Sequence, residues 1–414
     1  MIQLLPHQQS VLEQTNDFHR VAYYLDMGLG KSFLGSEKMH QLGAPFALVI
    51  CQKSKVDDWA AHVQEHYDYN VYVFNRQSIS DIPEHSVLII NYDLAWRRPE
   101  LLRLSNYTLI LDESSCIKNE TRQRSKFILK LKPDNVILLS GTPTGGKYEE
   151  LWSQCQLLGW AISKRLYWQQ FIITKTLNVG GCPIKVVTGY QQVDRLKAKL
   201  REYGAVFMKT EEVLDLPETM EQIINVPITK EYRRFKKDRV IDINGKTLVG
   251  DTPLTQLLYL RQLAGMYNEN KIECLTDLIQ STGDRLIVFY NFDFEYGFIR
   301  NLCEEKGNPI SVVNGKLKDL RAYEEHSNSV TLVQYQAGAM GLNLQLANKI
   351  IYFSLPLSSE LWMQSKKRIH RIGQTKTCFY YYLLTKGTIE PKILETLQQR
   401  KDFTDRLFKE VDHD

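Results

Sequence analysis

The stretch Asp26-Met27-Gly28-Leu29-Gly30-Lys31-Ser32 dictates more about the fold than any other part of the chain. It follows an apolar run, Val21 to Leu25, and precedes a helical pattern, Phe33 to Gln41. A strand, a glycine-rich turn, Lys-Ser and a helix together form the setting of a phosphate-binding loop. Glycines let backbone N–H groups close around phosphate oxygens, and the helix N-terminus adds positive partial charge. In this reading Gly28, Leu29 and Gly30 supply backbone, Lys31 reaches the β- and γ-phosphates, and Ser32 holds Mg²⁺. The general pattern asks for a glycine where Leu25 stands, so the stretch alone also admits a glycine-rich turn with a solvated lysine.

A phosphate loop needs a parallel sheet around it, and the chain supplies the strands. Short apolar runs at 47–50, 71–74, 87–90, 109–111 and 136–139 alternate with helical patterns such as 4–19 and 57–66, and polar residues follow the strand ends. This is the rhythm of a doubly wound α/β sheet, in which ligands bind at the carboxyl ends of the strands. Residues 149–205 read as helical, with a hairpin or loop around Gly180-Gly181, and Leu214-Asp215-Leu216-Pro217 breaks the chain. Asn244-Gly245 between 240–243 and 246–249 is a hairpin signal. A second α/β rhythm follows, with strands at 285–290, 330–333, 349–353 and 379–384 and a helix at 294–306. The expected organisation is residues 1–148, a helical insertion and connector at 149–215, and 216–414 with a small insertion at 228–272.

Charge excludes little, since 52 basic against 48 acidic residues leave a net +4. Seven scattered cysteines show no zinc-ligand spacing and read as packed thiols in a reducing compartment. Membrane spans and a signal peptide are not expected. Trp152, Trp160, Trp168, Met340 and the run Tyr380-Tyr381-Tyr382 read as packing residues.

Two further stretches carry chemistry. Asp112-Glu113 closes an apolar strand, and adjacent acids there suit a metal-holding carboxylate, Asp112, and a water-positioning one, Glu113. The densest basic stretch runs from Gln364 to Gln374, and helical spacing puts Gln364, Arg368 and Arg371 on one face. Such arginines can neutralise transition-state charge, and a solvated basic helix or a nucleic-acid patch gives the same pattern.

Taken in order, the 26–32 loop, Asp112-Glu113, Ser140-Gly141-Thr142-Pro143, Gly338 to Leu344 and Arg368 to Gln374 resemble the motifs of superfamily 2 helicases. In detail the chain is similar to their Swi/Snf (chromatin-remodeller-like) branch, and within it to compact stand-alone ATPases of phages and bacteria. Leu384 to Glu390 is also branch-like, and the resemblance spans residues 4 to 395. It implies two RecA-like domains facing a nucleotide cleft, ATP and Mg²⁺ as cofactors, and a monomeric ATP hydrolase in the cytoplasm of a bacterium or phage-infected cell.

The same resemblance implies roles at matching positions. Gln8 would read adenine, and Asp112 would hold the metal. Gly341 to Asn343 would approach the nucleotide, and Gln364, Arg368 and Arg371 the γ-phosphate. Ser140, Gly141 and Thr142 would couple hydrolysis to movement. Lys53, Ser54, Asn91 and Tyr92 in the first domain would touch a nucleic-acid backbone. In the second domain Asn291, Phe292, Asn314, Gly315, Gln336, Ala337 and Gly338 would do so. Met208-Lys209-Thr210 would lead into domain two. Ser114-Ser115 replace the usual Ala-His, and Gln336 stands where lysine is usual. The implied activity is translocation on duplex or forked DNA. Two other readings stay open: strand separation or annealing on forked DNA or RNA, and nucleotide-dependent recruitment of a replication or recombination partner.

Overall fold

The computed structural model describes residues 3–74, 82–179, 182–243, 245–338 and 342–408. The chain divides into two compact units between Leu214 and Asp215. The expected Gly180-Gly181 turn, Asn244, Ala339, Met340 and Gly341 lie outside the described residues.

In the first unit the strands are β1 (Arg20–Leu25), β2 (Phe46–Cys51), β3 (Asn70–Val73), β4 (Ser86–Asn91), β5 (Tyr107–Asp112), β6 (Asn135–Ser140), β7 (Ile172–Val179), β8 (Cys182–Tyr190) and β9 (Ala205–Met208). Seven of them form one sheet in the order β3-β4-β2-β5-β6-β1-β9, and every neighbouring pair is parallel. Because the sheet is covered on both faces, its strands are continuously apolar rather than alternating. Val21, Tyr23 and Leu25 pack with the helices α1 (Pro6–Gln14), α2 (Lys31–Leu42) and α3 (Val56–His66). Ala22 and Tyr24 point the other way, into a cluster with Tyr148, Tyr167 and Phe171. Gly35 lets α2 lie close to β6, since a Cβ there would sit 2.8 Å from Leu139 Cδ1.

The stretch 149–205, expected to be helical with a hairpin or loop around Gly180-Gly181, contains β7 and β8, which among the described strands pair only with each other. The short β9 then joins the main sheet beside β1. Ile173, Leu177, Ile184 and Val186 are exposed on the β7–β8 hairpin, so its apolar residues do not mark a core strand.

In the second unit the strands are β10 (Thr219–Val226), β11 (Val240–Ile243), β12 (Lys246–Val249), β13 (Leu286–Tyr290), β14 (Ile310–Val313), β15 (Lys318–Asp319), β16 (Val330–Gln334), β17 (Lys349–Tyr352) and β18 (Cys378–Thr385). The main sheet runs β10-β18-β17-β13-β16-β14-β15, parallel except for the terminal β14–β15 pair. β10 is an edge strand with mostly exposed residues, which hides it from a search for apolar runs. β11 and β12 form the expected hairpin, with Gly245 at φ +72°. Among the described residues no helix is long and apolar enough to cross a membrane.

Candidate active site

The order β5-β6-β1 puts the carboxyl ends of three neighbouring strands side by side. These ends carry Asp112-Glu113, Ser140 to Thr142, and the 26–32 loop. Gly28 and Gly30 take φ +91° and +71°, conformations that glycine adopts without steric cost. The Lys31 ammonium curls back onto the strand end, donating to the Leu25 carbonyl at 2.8 Å and the Asp26 carbonyl at 3.1 Å. Gly141 is close to it, since a Cβ there would sit 3.3 Å from Lys31 Nζ.

Gln8 is buried against this loop. Its Nε2 donates to the carbonyls of Leu29 at 3.1 Å and Gly30 at 3.4 Å, and its Oε1 accepts from Leu5 N at 2.9 Å. The residue expected on adenine therefore clasps the 26–32 loop with its amide. Asp26, on the loop's other flank, accepts from Thr210 Oγ1 at 3.0 Å, which ties the segment after β9 to the loop.

The acids are held from several sides. Trp59 on α3 donates its indole N–H to Asp112 Oδ2 at 2.8 Å. Burial pushes the Asp112 carboxyl above its ordinary value, against the lowering effects of the Trp59 hydrogen bond and of Lys31. Glu113 sits at φ +60°, a left-handed conformation that is strained for a residue with a Cβ. Its Oε1 accepts from Ser140 Oγ at 2.6 Å and from Ser115 Oγ at 2.9 Å. Ser114 donates to Gln154 Oε1 at 2.7 Å, which also receives the Tyr24 hydroxyl at 3.0 Å. The two serines that replace Ala-His are thus wired into the site. Trp59 and Gln154 went unmarked in the sequence, where only Trp59's place after a strand end could have pointed to it.

Mg²⁺ held mainly by nucleotide phosphates needs one or two protein oxygens. Asp112, with one carboxylate oxygen anchored by Trp59, and the Ser32 hydroxyl on the first turn of α2 fit that demand. Among the described residues no group of three or more His, Cys, Asp or Glu forms a cage of its own.

Of the expected backbone-binding residues in this unit, Lys53 and Ser54 are exposed just past β2. The Asn91 side chain caps the next short helix, accepting from Asp93 N and Leu94 N at 3.1 and 3.0 Å. Tyr92 departs from the expectation. It is buried, and its hydroxyl donates to the carbonyls of Asp112 and Glu113, so it supports the acids from beneath.

In the second unit the helix Ser359–Lys366 ends before Arg368. Gln364 alone of the three lies on it, and the arginines follow in a turn, correcting the single helical face. The turn still brings them together. Arg368 and Arg371 both point at the Leu342 carbonyl, at 3.5 and 3.2 Å, while Leu344 N donates to Arg368 O at 3.1 Å. The arginines and the 342–344 segment, with Asn343 exposed, therefore form one cluster. Burial lowers the Arg371 pKa. Gln364 is buried, and its amide oxygen has no hydrogen-bond partner among the described residues. Buried polar atoms are normally paired, so this one suits a ligand.

The remaining second-unit candidates lie past β13, β14 and β16. Asn291 Nδ2 is spent on Ser354 Oγ and the Leu355 carbonyl, at 2.9 and 3.1 Å. The backbone N–H groups of Asn291 and Phe292 both donate to the buried Glu295. Asn314 Oδ1 closes its own turn on Lys316 N and Leu317 N. Gln336 is exposed and Ala337 buried. Gln334 links the loops instead, at 3.4 Å each to Gly315 N and the Asn291 carbonyl. These loops thus offer backbone, Gly315 and Gln336, while Asn291 and Ala337 present no outward polar side chain.

Comparison with known proteins agrees with this geometry. The model of the SNF2-related domain matches residues 6–271, and that of the helicase conserved C-terminal domain matches 270–373. The chain is similar to the putative ATP-dependent helicase/translocase YwqA of Bacillus subtilis, at 26% identity over 93% of this chain and 46% of that protein. It is similar to the DNA repair and recombination protein RAD26 of Saccharomyces cerevisiae, at 26% identity over 79% of this chain and 34% of that one. With the uncharacterized ATP-dependent helicase YqhH of B. subtilis, identity is 23% over 99% of this chain and 80% of that one. The chain spans less than half the length of YwqA and RAD26.

Proposed function

The chain belongs to the SNF2-related domain family, and from that premise we propose that it is an ATP-hydrolysing motor moving along duplex or forked DNA. The observation that carries the reading is the strand order β5-β6-β1, which lines up the acids, Ser140 and the 26–32 loop at one sheet edge. Loop N–H groups and Lys31 bind the phosphates, so Lys31 exchanges its two carbonyl partners for phosphate oxygens. Asp112 and Ser32 would hold Mg²⁺, which would supply charge neutralisation. Glu113 orients the attacking water, and Ser140 reports the state of that carboxylate to the 140–142 segment. Arg368 and Arg371 neutralise transition-state charge, the Gln364 amide hydrogen-bonds a phosphate oxygen, and the Leu342 carbonyl holds the two arginines until then.

The names of the relatives, a helicase/translocase and a DNA repair protein, support DNA as the track. Exposed Lys53, Ser54 and Gln336 suit contacts with phosphates rather than bases. Such contacts are nearly blind to sequence and weaken with salt. The test is an ATPase titration with single-stranded, duplex and forked DNA and with RNA at two salt concentrations, with Lys31→Ala as control. Turnover stimulated by duplex or forked DNA, lower at high salt and absent in the variant, is the expected result. Turnover that stays flat with every nucleic acid removes the motor and leaves a nucleotide-dependent recruitment protein.

A further inference from the structure

The ribbon formed by β7 and β8 takes no part in the site described above. Its base is fixed to the first unit. Phe171 and Ile172 are buried in the core, Tyr190 OH donates to Glu149 Oε2 at 2.9 Å, and Gln191 N donates to the Phe171 carbonyl at 3.0 Å. Beyond the base the two strands pair with each other and with no other described strand. The register sets Lys175 opposite Val186 and Leu177 opposite Ile184. Side chains alternate between the faces of a strand, so Ile173, Lys175, Leu177, Ile184 and Val186 share one face. Its four aliphatic residues are 43%, 43%, 47% and 39% exposed, in the order Ile173, Leu177, Ile184, Val186. Lys185 stands on the opposite face with Thr174 and Thr176. The segment 172–190 contains two lysines and no acid.

A two-stranded hairpin is marginal in water unless something covers it, and a contiguous aliphatic face is kept exposed where it has a partner to meet. The absence of any acid selects a polyanion over an average protein surface. The width of a two-stranded ribbon matches the major groove of DNA. Leu and Ile side chains are also those that enter and unstack base steps. We propose that the β7–β8 ribbon is a wedge for the junction of forked DNA, with Leu177 and Ile184 against the unstacked bases and Lys175 and Lys185 on the flanking phosphates. The proposal rests on DNA being the track and adds the structure on that track that the first unit engages.

The test compares the wild-type chain with Leu177→Thr/Ile184→Thr, which places β-branched residues of good strand propensity at both positions, and with Lys175→Glu. Equilibrium binding of a fork and of a blunt duplex of equal length is measured without nucleotide, alongside duplex-stimulated ATP turnover and strand displacement. The expected wild-type result is a preference for the fork. The double variant should lose that preference about tenfold, with any wild-type strand displacement lost with it, while duplex-stimulated turnover stays within about twofold; Lys175→Glu should weaken fork binding in a salt-dependent way. Equal wild-type affinity for fork and duplex, or a preference unchanged in both variants, overturns the wedge and assigns the aliphatic face to a protein partner. If wild-type turnover ignores DNA, the motor reading fails, and the nucleotide-free fork binding still decides the ribbon.

Discussion

Ser140 donates a 2.6 Å hydrogen bond to Glu113 Oε1, joining the ends of β6 and β5. The same hydroxyl accepts from Thr142 N at 3.1 Å. One side chain thus touches both Glu113, the acid proposed to position water, and the backbone of the segment that follows. Glu113 is already in a left-handed backbone conformation, so its side chain depends on such tethers for direction.

Ser140→Ala should therefore lower DNA-stimulated kcat while leaving KM for ATP unchanged. A hydrogen bond to a charged group contributes about 1.5–3 kcal/mol, so the expected loss is roughly tenfold or more. Steady-state kinetics with saturating DNA checks it. A raised KM at constant kcat would move Ser140 from positioning Glu113 to binding nucleotide.

Trp59→Phe removes the indole donor from Asp112 Oδ2 and keeps an aromatic ring in place. Burial has raised the Asp112 pKa above 3.8 and the indole hydrogen bond lowers it, so the variant's carboxyl should titrate at higher pH. Metal binding needs the carboxylate, so the acid limb of the kcat/KM profile should move upward in pH, with the alkaline side unchanged. Stability runs the other way. A folded-state pKa above the unfolded one favours the fold at low pH, and this contribution is lost as pH rises through the folded value. A profile identical to wild type would remove Trp59 from the site.

The parts of this molecule that were legible beforehand are those written in contiguous residues. The 26–32 loop, Asp112-Glu113 and Ser140 to Thr142 each follow an apolar strand, and apolar strands in a sheet covered on both faces are unmistakable. What escaped was set by contacts distant in sequence. Trp59 meets Asp112, and Tyr24 and Ser114 meet on Gln154. Tyr92 lay at the right strand end, yet only the fold shows its ring turning inward. β7 and β8 were legible only as a hairpin or loop around Gly180-Gly181, because their aliphatic residues alternate along an exposed ribbon, where no core periodicity applies.

Gly30→Ala and Gln8→Ala together separate the Gln8 clasp from the loop's backbone conformation. Gly30 has φ +71°, and a Cβ there would overlap the Gln8 amide nitrogen. Two penalties combine, a strained backbone and eviction of the clasp on the Leu29 and Gly30 carbonyls. KM for ATP should rise at least tenfold. Gln8→Ala alone should raise it less, since that variant leaves the loop's backbone conformation intact. Isothermal titration with a non-hydrolysable ATP analogue measures both. Equal affinities in Gly30→Ala and wild type would show that Gln8 does not need its place against the loop.

Arg371 and Gln374 are three residues apart and should fail in opposite ways. Among the described residues Arg371 donates one hydrogen bond, to the Leu342 carbonyl at 3.2 Å, and burial already disfavours its charge. Its charge is therefore held ready for a partner that arrives later. Gln374 is a structural staple. Its Nε2 donates to the carbonyls of Gln345, Ala347 and Ile369, and its Oε1 accepts from Thr375 N and Lys376 N. Arg371→Ala should fold, bind ATP normally and hydrolyse it slower by about 10³-fold, the scale of a finger arginine. Gln374→Ala strands several buried carbonyls at about 1–3 kcal/mol for each group left unsatisfied, so the second unit should unfold at lower temperature. Thermal unfolding beside single-turnover hydrolysis separates the two. Should Arg371→Ala lose ATP affinity with its turnover rate intact, the arginine would be a binding residue and the charge-neutralising role would pass to Arg368.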